Sequence, residues 1–383
     1  MFLIIAFGVL NIYSVSPSFG QKQLIWVGMA FFMMLLGVII TNGRRNFFEI
    51  NAPIFYLITV LLLVGLFPLG KEIHGAKAWY SIGGKFSIQP AEFAKIATGL
   101  MIANQLSLSE NMGRQEPSNF WKIAVILGIP MLLILLQPDL GSFIVFSAFI
   151  LALFREGLSP WLILLPISLG GIFLSSVVWN PLWVMLCIGY IFTVVLLLII
   201  TITPYAAVLS SFVFDKLPKH QKERVMVLFE GEEKYPRTAG YNLLYAKVAI
   251  GSGELKGRGW NSGPVTDGGF VPEQHTDYIF STVGEEWGFL GASFLVLLYT
   301  AFIGRLYYLA ESQKTVFARY FGNSVASILL IHFFLNVAMV MGLFPTVGIP
   351  LPFFSYGGSS LWAFSLLVFI FLKLNYDDKR SMI

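Results

Sequence analysis

The sequence predicts an all-α, polytopic integral membrane protein, and three observations carry that expectation. Hydrophobic residues make up 56% of the 383-residue chain and charged ones 12%, with a mean hydropathy of +0.75. A soluble domain carries about 25% charged residues, which it needs to cover a water-facing surface. The apolar stretches are long and continuous rather than alternating over about ten residues, which selects helices over a β-barrel. Lys and Arg gather in short gaps between these stretches, the pattern that fixes orientation in a bilayer. The net charge of +4 is small and no long basic run occurs, so nucleic acid is not expected as a partner.

A spanning helix needs about 20 apolar residues, fewer when its ends snorkel. About 12 segments qualify: 1–15, 24–41, 53–70, 90–106, 121–137, 140–155, 160–179, 181–202, 203–215, 288–309, 319–343 and 359–374. The first begins MFLIIAFGVLNIYS, which has the length of a signal peptide. It lacks a basic leader and a small-x-small cleavage site, so it reads as a short membrane helix. The least regular is 203–215, which is short and starts at Pro204. Arg44 and Arg45, Arg114 and Lys122, Arg155, Lys314 and Arg319, and Lys373, Lys379 and Arg380 then all fall on one side, which the positive-inside rule makes cytoplasmic. Both termini are expected there. Segments 71–89, 216–287 and 344–358 fall on the opposite, outer side. The segment 216–287 carries many cations against the rule, but loops of about 60 residues or more translocate regardless of charge. The whole chain reads as one membrane domain, 1–383, with 216–287 as a long Gly-rich outer loop lying on the bundle.

Common catalytic signatures are missing: no His-Glu-x-x-His, no P-loop, no nucleophile elbow. The single cysteine, Cys187, lies in an apolar run and excludes an intramolecular disulfide or a cysteine-based metal cluster. His74, His220, His275 and His332 are the only histidines, and His332, mid-helix, reads as a packed polar residue.

What remains is a set of polar groups near the outer membrane face. Gln89-Pro90-Ala91-Glu92-Phe93-Ala94-Lys95 opens a helix. Proline and glutamate suit a first helical turn, but Glu92 and Lys95 are also i,i+3 charges entering hydrocarbon, where charge is costly and usually functional. Asp139 in Gln137-Pro138-Asp139-Leu140-Gly141 caps the next helix or faces a cavity. Arg224, Glu232, Glu233, Arg237 and Lys247 lie in the long loop, where most charges are expected to be solvated. Lys247 interrupts an apolar run, so it must find an anion or snorkel. Glu273, Asp277, Glu285 and Glu286 crowd against an apolar helix, and Pro350 to Ser360 breaks helicity at a depth where irregular backbone lines cavities. Cations beside carboxylates at a lipid-facing pocket fit a substrate with a pyrophosphate head and a long lipid tail. Pyrophosphate leaves readily, so one carboxylate base and cations on the leaving group suffice.

GAKAWYSIGG, IQPAEFAKIA, LLQPDLGSFIVF, ERVMVLF, AGYNLLYAKVAIGSGELKGRGW, FVPEQHTDYIFSTVGEEWGFLG and FPTVGIPLPFFSYGGSS occur in that order. Together they closely resemble the SEDS family (shape, elongation, division and sporulation) over about residues 8 to 375. The wording is nearer the RodA-type elongation branch than the division branch. The resemblance implies a SEDS-type helix bundle and a peptidoglycan glycosyltransferase of the bacterial inner membrane, active on its outer face. Such proteins polymerise lipid II, a polyprenyl-pyrophosphate-linked disaccharide, by inverting attack of a sugar 4-hydroxyl, and work with a class B penicillin-binding protein and the elongation machinery. Carried over by motif, Glu92, Lys95, Asp139, Lys247, His275, Thr276, Asp277 and Ser355 belong to the pocket.

This chain departs from the family at several points. The family has Asp-Pro-x-Gly-x-Gly-Tyr in the long loop, with the aspartate as catalytic residue; here that position is Tyr235, and Thr238 replaces the first glycine. Tyrosine, with a pKa near 10, is a poor base at neutral pH. Glu233 and Glu232 are the nearest carboxylates and the expected catalytic residues, with Asp277 next. Lys77 stands where an arginine usually precedes the Trp79 step, and supplies charge without paired hydrogen bonds. The family has about ten membrane helices, so 160–215 holds two more. A lipid II flippase and a non-catalytic activator of the transpeptidase are the alternatives. Acids beside phosphates would bind magnesium or manganese, but no dedicated ligand spacing is visible.

Overall fold

A computed structural model of the chain describes residues 1–44, 46–73, 75–82, 86–111, 117–156, 219–236 and 239–380. The expected spans 160–179, 181–202 and 203–215, together with Cys187, Arg114 and Arg237, lie outside the described residues. The chain divides into two compact units, one formed by 1–152 with 242–383 and the other by 153–241.

The first unit is a helix bundle. It contains α1 (Phe2–Val15), α2 (Pro17–Thr41), α3 (Phe47–Leu69), α4 (Pro90–Asn111), α5 (Pro117–Leu136) and α6 (Leu140–Val145). The helix α7 (Ala148–Arg155) runs from it into the second unit. Among the described residues five helices are long and apolar enough to cross a membrane: α2, α3 and three in the C-terminal part. Those three are α11 (Ile279–Glu311), α12 (Val316–Val340) and α13 (Gly358–Arg380). In α12, 72% of the apolar window is buried, against 11% in α2. The contrast separates a central helix from one whose Leu, Ile and Phe side chains face outward, as lipid contact requires. Small residues let the inner helices approach closely, as in membrane bundles generally. Gly99 of α4 sits against Phe149 and Phe321, and Gly322 of α12 against Ala310 and Phe371.

Every expected span within the described residues coincides with a helix. Several helices run a few residues past the expected ends, and two changes go further. Span 140–155 is broken into α6 and α7 around Phe146 and Ser147. Span 288–309 begins earlier, at Ile279, so Glu285 and Glu286 lie inside α11 rather than before it. Between α3 and α4 the chain forms a small antiparallel sheet, β1 (Lys71–Ile73), β2 (Ala76–Ile82) and β3 (Phe86–Ile88), in sequential order. Trp79, Tyr80 and Ile82 are strand-favouring residues, and Tyr80 pairs with Ile88 across β2 and β3.

The kink in α11 explains the Gly-rich run before it. Gly288 has φ 63 and ψ −161, which interrupts the i to i−4 ladder. An unpaired backbone group away from water costs several kcal/mol, on the order of a lost hydrogen bond in hydrocarbon. The run 254–259 fills the gap. Arg258 N donates to the Glu285 carbonyl at 2.9 Å and Gly259 N to that of Glu286 at 3.0 Å. Phe289 N and Leu290 N donate in turn to the Glu254 and Leu255 carbonyls at 2.9 and 3.1 Å. Gly253 and Gly257 lie so close to the Gly284 and Glu286 carbonyls that a Cβ at either would overlap them.

The second unit contains α8 (Lys219–Glu230) and a 3-10 turn, Glu232–Lys234. The helix α9 (Ala239–Ser252) starts in it and continues into the first unit, where α10 (Pro264–Asp267) follows.

Candidate active site

Proline at the first position starts α4, and Glu92 in its first turn complements the helix dipole. One turn on, Lys95 donates to Glu92 Oε1 at 2.8 Å. The same ammonium lies 2.8 Å from His332 Nε2 on α12. Phe364 of α13 turns its ring face to Lys95, 5.4 Å away, and packs edge-on against His332 at 4.9 Å. Glu92, Lys95 and His332 are 4%, 2% and 2% exposed. A charge pair so deep is held by its partners, and removing one partner costs about 3–5 kcal/mol. Glu92 Oε2 and His332 Nδ1 are buried with no hydrogen-bond partner among the described residues.

Asp139 caps α6. Its carboxylate accepts from Ser142 N at 3.0 Å and Ser142 Oγ at 2.8 Å. Gln89, at the foot of α4, donates to the same carboxylate at 2.7 Å. The capping reading of Asp139 holds, and the half-buried cap is also tied to the start of α4 through Gln89. Two residues on, Gly141 backs onto the Val347 carbonyl, with no room for a Cβ.

That contact leads into the irregular segment 342–357. Gly348 lies beside Asp277, whose Oδ2 would stand 3.2 Å from a Cβ there. Asn336 of α12 donates to the backbone carbonyls of Asp277 at 2.8 Å and Ile349 at 2.7 Å, joining the two strands of chain. Ser355 Oγ donates to the Thr276 carbonyl at 2.6 Å and accepts from Leu351 N at 2.8 Å. Tyr356 N donates to the His275 carbonyl at 2.8 Å. Gln23 of α2 clasps the same turn, donating to the Ser355 carbonyl and accepting from Gly357 N, each at 3.3 Å. His275 stacks on Phe19 at 4.4 Å. Burial holds its imidazole below the ordinary value, against an opposing pull from Glu273. Thr276 Oγ donates to Glu273 Oε2 at 2.8 Å. His275, Thr276, Asp277 and Ser355 therefore form one cluster.

Other charged residues of the first unit have partners of their own. Lys247 is exposed on α9, its chain beside Gly342 at the start of the irregular segment. Lys77 donates to the Phe67 carbonyl at 2.5 Å, a cation on the C-terminal end of α3. Glu285, inside α11, accepts from Val265 N and Thr266 N at 2.8 Å each and so fixes α10. Glu286 takes a short hydrogen bond from Ser14 of α1. Among the described residues no three His, Cys, Asp or Glu side chains gather in a way that could hold a metal ion, and no step is derived through one.

In the second unit, Gly231 at φ 88 turns the chain out of α8 and into the 3-10 turn. Glu233 is exposed there and Glu232 half-buried; Arg224 is half-buried on α8. Tyr235 donates its hydroxyl to Glu230 Oε2 at 2.9 Å. Desolvation, that hydrogen bond and the charges of Glu230 and Glu223 push the phenol above its ordinary value.

Sequence reasoning singled out Glu92, Lys95, Asp139, His275, Thr276, Asp277 and Ser355; all lie in the first unit, with Glu92, Lys95 and Ser355 buried and the other four half-buried. It left out Gln23 and Asn336, gave Gln89 no role beyond its motif, and did not pair His332 with Lys95. The signal for all four was a polar side chain in or beside an apolar helix.

Residues 1–380 match the model of a family of cell cycle proteins, that of FtsW, RodA and SpoVE. The peptidoglycan glycosyltransferase MrdB of Escherichia coli K12 is 32% identical over 338 residues, 88% of this chain and 80% of the relative. The peptidoglycan glycosyltransferase RodA of Treponema pallidum is 29% identical over 98% of this chain and 95% of the relative. Among solved structures, a chain of a peptidoglycan synthase complex superposes with a TM-score of 0.73 at 26% identity, covering 98% of this chain and 95% of that one. The rod shape determining protein RodA of Thermus thermophilus gives 0.64 at 25%, covering 98% and 94%. Full-length agreement in sequence family and fold places this multi-pass membrane protein in the FtsW/RodA/SpoVE family.

Proposed function

We propose that this protein is a peptidoglycan glycosyltransferase that polymerises lipid II during cell elongation. The observation that carries the reading is the set of charged and polar side chains inside an apolar bundle, Glu92–Lys95–His332 and the His275–Asp277 turn clasped by Ser355, in a chain whose relatives bear that activity in their names. In the reaction a sugar 4-hydroxyl attacks the anomeric carbon of a lipid-linked disaccharide. The new glycosidic C–O bond forms as the bond to pyrophosphate breaks, with inversion. The hydroxyl proton goes to a carboxylate base, and the polyprenyl pyrophosphate departs with its electron pair.

Glu233 is the base in this reading, with Glu232 beside it, because each is a carboxylate near the position where the family carries aspartate. Tyr235 already donates its hydroxyl to Glu230 and its phenol is raised, so it is unsuited to accept a proton. Asp277 is the next candidate. Arg224, Arg237, Lys247 and Lys77 supply cations for the pyrophosphate. Glu92, Lys95, Asp139, His275, Thr276 and Ser355 shape the sugar pocket. The protein sits in the bacterial inner membrane with both termini cytoplasmic, which puts 71–89, 216–287 and 344–358 on the outer face. A class B penicillin-binding protein is the partner; a structural relative comes from a peptidoglycan synthase complex.

Vesicles containing only this protein and fluorescent lipid II distinguish the enzyme from a flippase. Glycan polymer without transfer of lipid II between leaflets is expected. Transfer without polymer would replace the enzyme with a transporter.

A further inference from the structure

The Glu92–Lys95–His332 contact holds an asymmetry. Lysine has only donors, so a Lys95 ammonium 2.8 Å from His332 Nε2 requires that nitrogen to carry a lone pair. The imidazole is then neutral with its proton on the buried Nδ1. A proton on Nε2 would set two donors face to face. The same ammonium spends a second donor on Glu92 Oε1, while Oε2 of that carboxylate is buried and unpartnered. Phe364 packs against both the ammonium and the imidazole.

We propose that His332 is a positioning residue for the glycosyl transfer: it accepts a hydrogen bond from Lys95, which holds the ammonium on Oε1 of Glu92 and leaves Oε2 as the buried, unpartnered acceptor of the pair. The inference rests on the proposed function for its reaction, and on the contact alone for its tautomer. The residues act in series, from α12 to α4. His332 sets Lys95, and Lys95 sets Glu92, one of the residues that shape the sugar pocket in the proposed function.

The test uses the purified full-length chain with its transpeptidase and lipid II. His332→Leu removes the acceptor at similar volume, and a loss of turnover of about 100-fold is expected, mostly in kcat. His332→Gln offers a side-chain carbonyl to Lys95 and should return turnover to within about tenfold of the wild type. A merely structural role would track melting temperature instead, so both variants are also melted. Nitrogen-15 shifts of labelled histidine read the tautomer without any substrate. Wild-type His332 is expected neutral with the proton on Nδ1, and Lys95→Met should abolish that preference. Full turnover in His332→Leu, or a proton on Nε2 in the wild type, overturns the inference. An inactive wild type that shows the expected tautomer would instead count against the glycosyltransferase reading and leave the contact supported.

Discussion

Tyr235 and Glu233 are two residues apart, and the chemistry separates them sharply. A phenol already near 10 is raised further by desolvation and by Glu230 and Glu223, so it stays protonated where a base is needed. Glu233 is exposed on its 3-10 turn. Positioned bases contribute about 100- to 10,000-fold. Glu233→Gln should therefore cut the polymerisation rate by at least about 100-fold with no change in melting temperature, while Tyr235→Phe should cost only a few-fold; initial rates of glycan formation measure both. Full rate in Glu233→Gln and in Glu232→Gln would move the base to Asp277. His275 makes a different prediction. Its buried imidazole resists protonation, whereas the unfolded chain takes up a proton near pH 6.5. Stability is therefore lost as the pH falls through about 6.5. His275→Phe keeps the stack on Phe19 and binds no proton in either state. Its melting temperature should fall less than that of the wild type between about pH 7.5 and about pH 5.5, and an equal fall would mean that His275 is not the group responsible.

At the scale of elements, the kink in α11 and the run 254–259 form one device. The kink frees two carbonyls and two amides, and the run returns a partner to each. Gly257 has φ 83 and backs onto the Glu286 carbonyl, so an alanine there meets both an unfavourable backbone region and a steric overlap. Gly257→Ala should destabilise by about 2 kcal/mol or more, read as a lower detergent-solution melting temperature. Gly269, also at positive φ but with open space around it, should lose less on the same change. The sequence displayed these glycines but not their reason, because the matching carbonyls lie some thirty residues along the chain. The same distance problem hid the partner of His332, which is 237 residues from Lys95. Charge in hydrocarbon, by contrast, is a local signal, and it marked Glu92 and Lys95 directly. The small sheet at 71–88 was missed because β1 and β3 have three residues each and β2, AKAWYSI, does not alternate cleanly.

For the molecule as a whole, the balance of apolar and charged residues was enough to read a multi-pass helical bundle, and every expected span within the described residues is a helix. Composition could not rank those helices from the centre outward. α4, which carries Glu92 and Lys95, is not among the five described helices long and apolar enough to cross a membrane, since its polar residues are there for one another rather than for lipid. α12 is as apolar as α11 yet is the more deeply buried, so hydropathy alone does not set its place. The central claim is that this bundle joins lipid-linked disaccharides into glycan. The most direct measurement combines the purified protein, alone and with its cognate class B penicillin-binding protein, with labelled lipid II, and resolves the products on a gel. A ladder of glycan strands that appears with the wild type and disappears with Glu233→Gln is expected. Unreacted lipid II in every lane, with the partner present and both proteins folded, would contradict it.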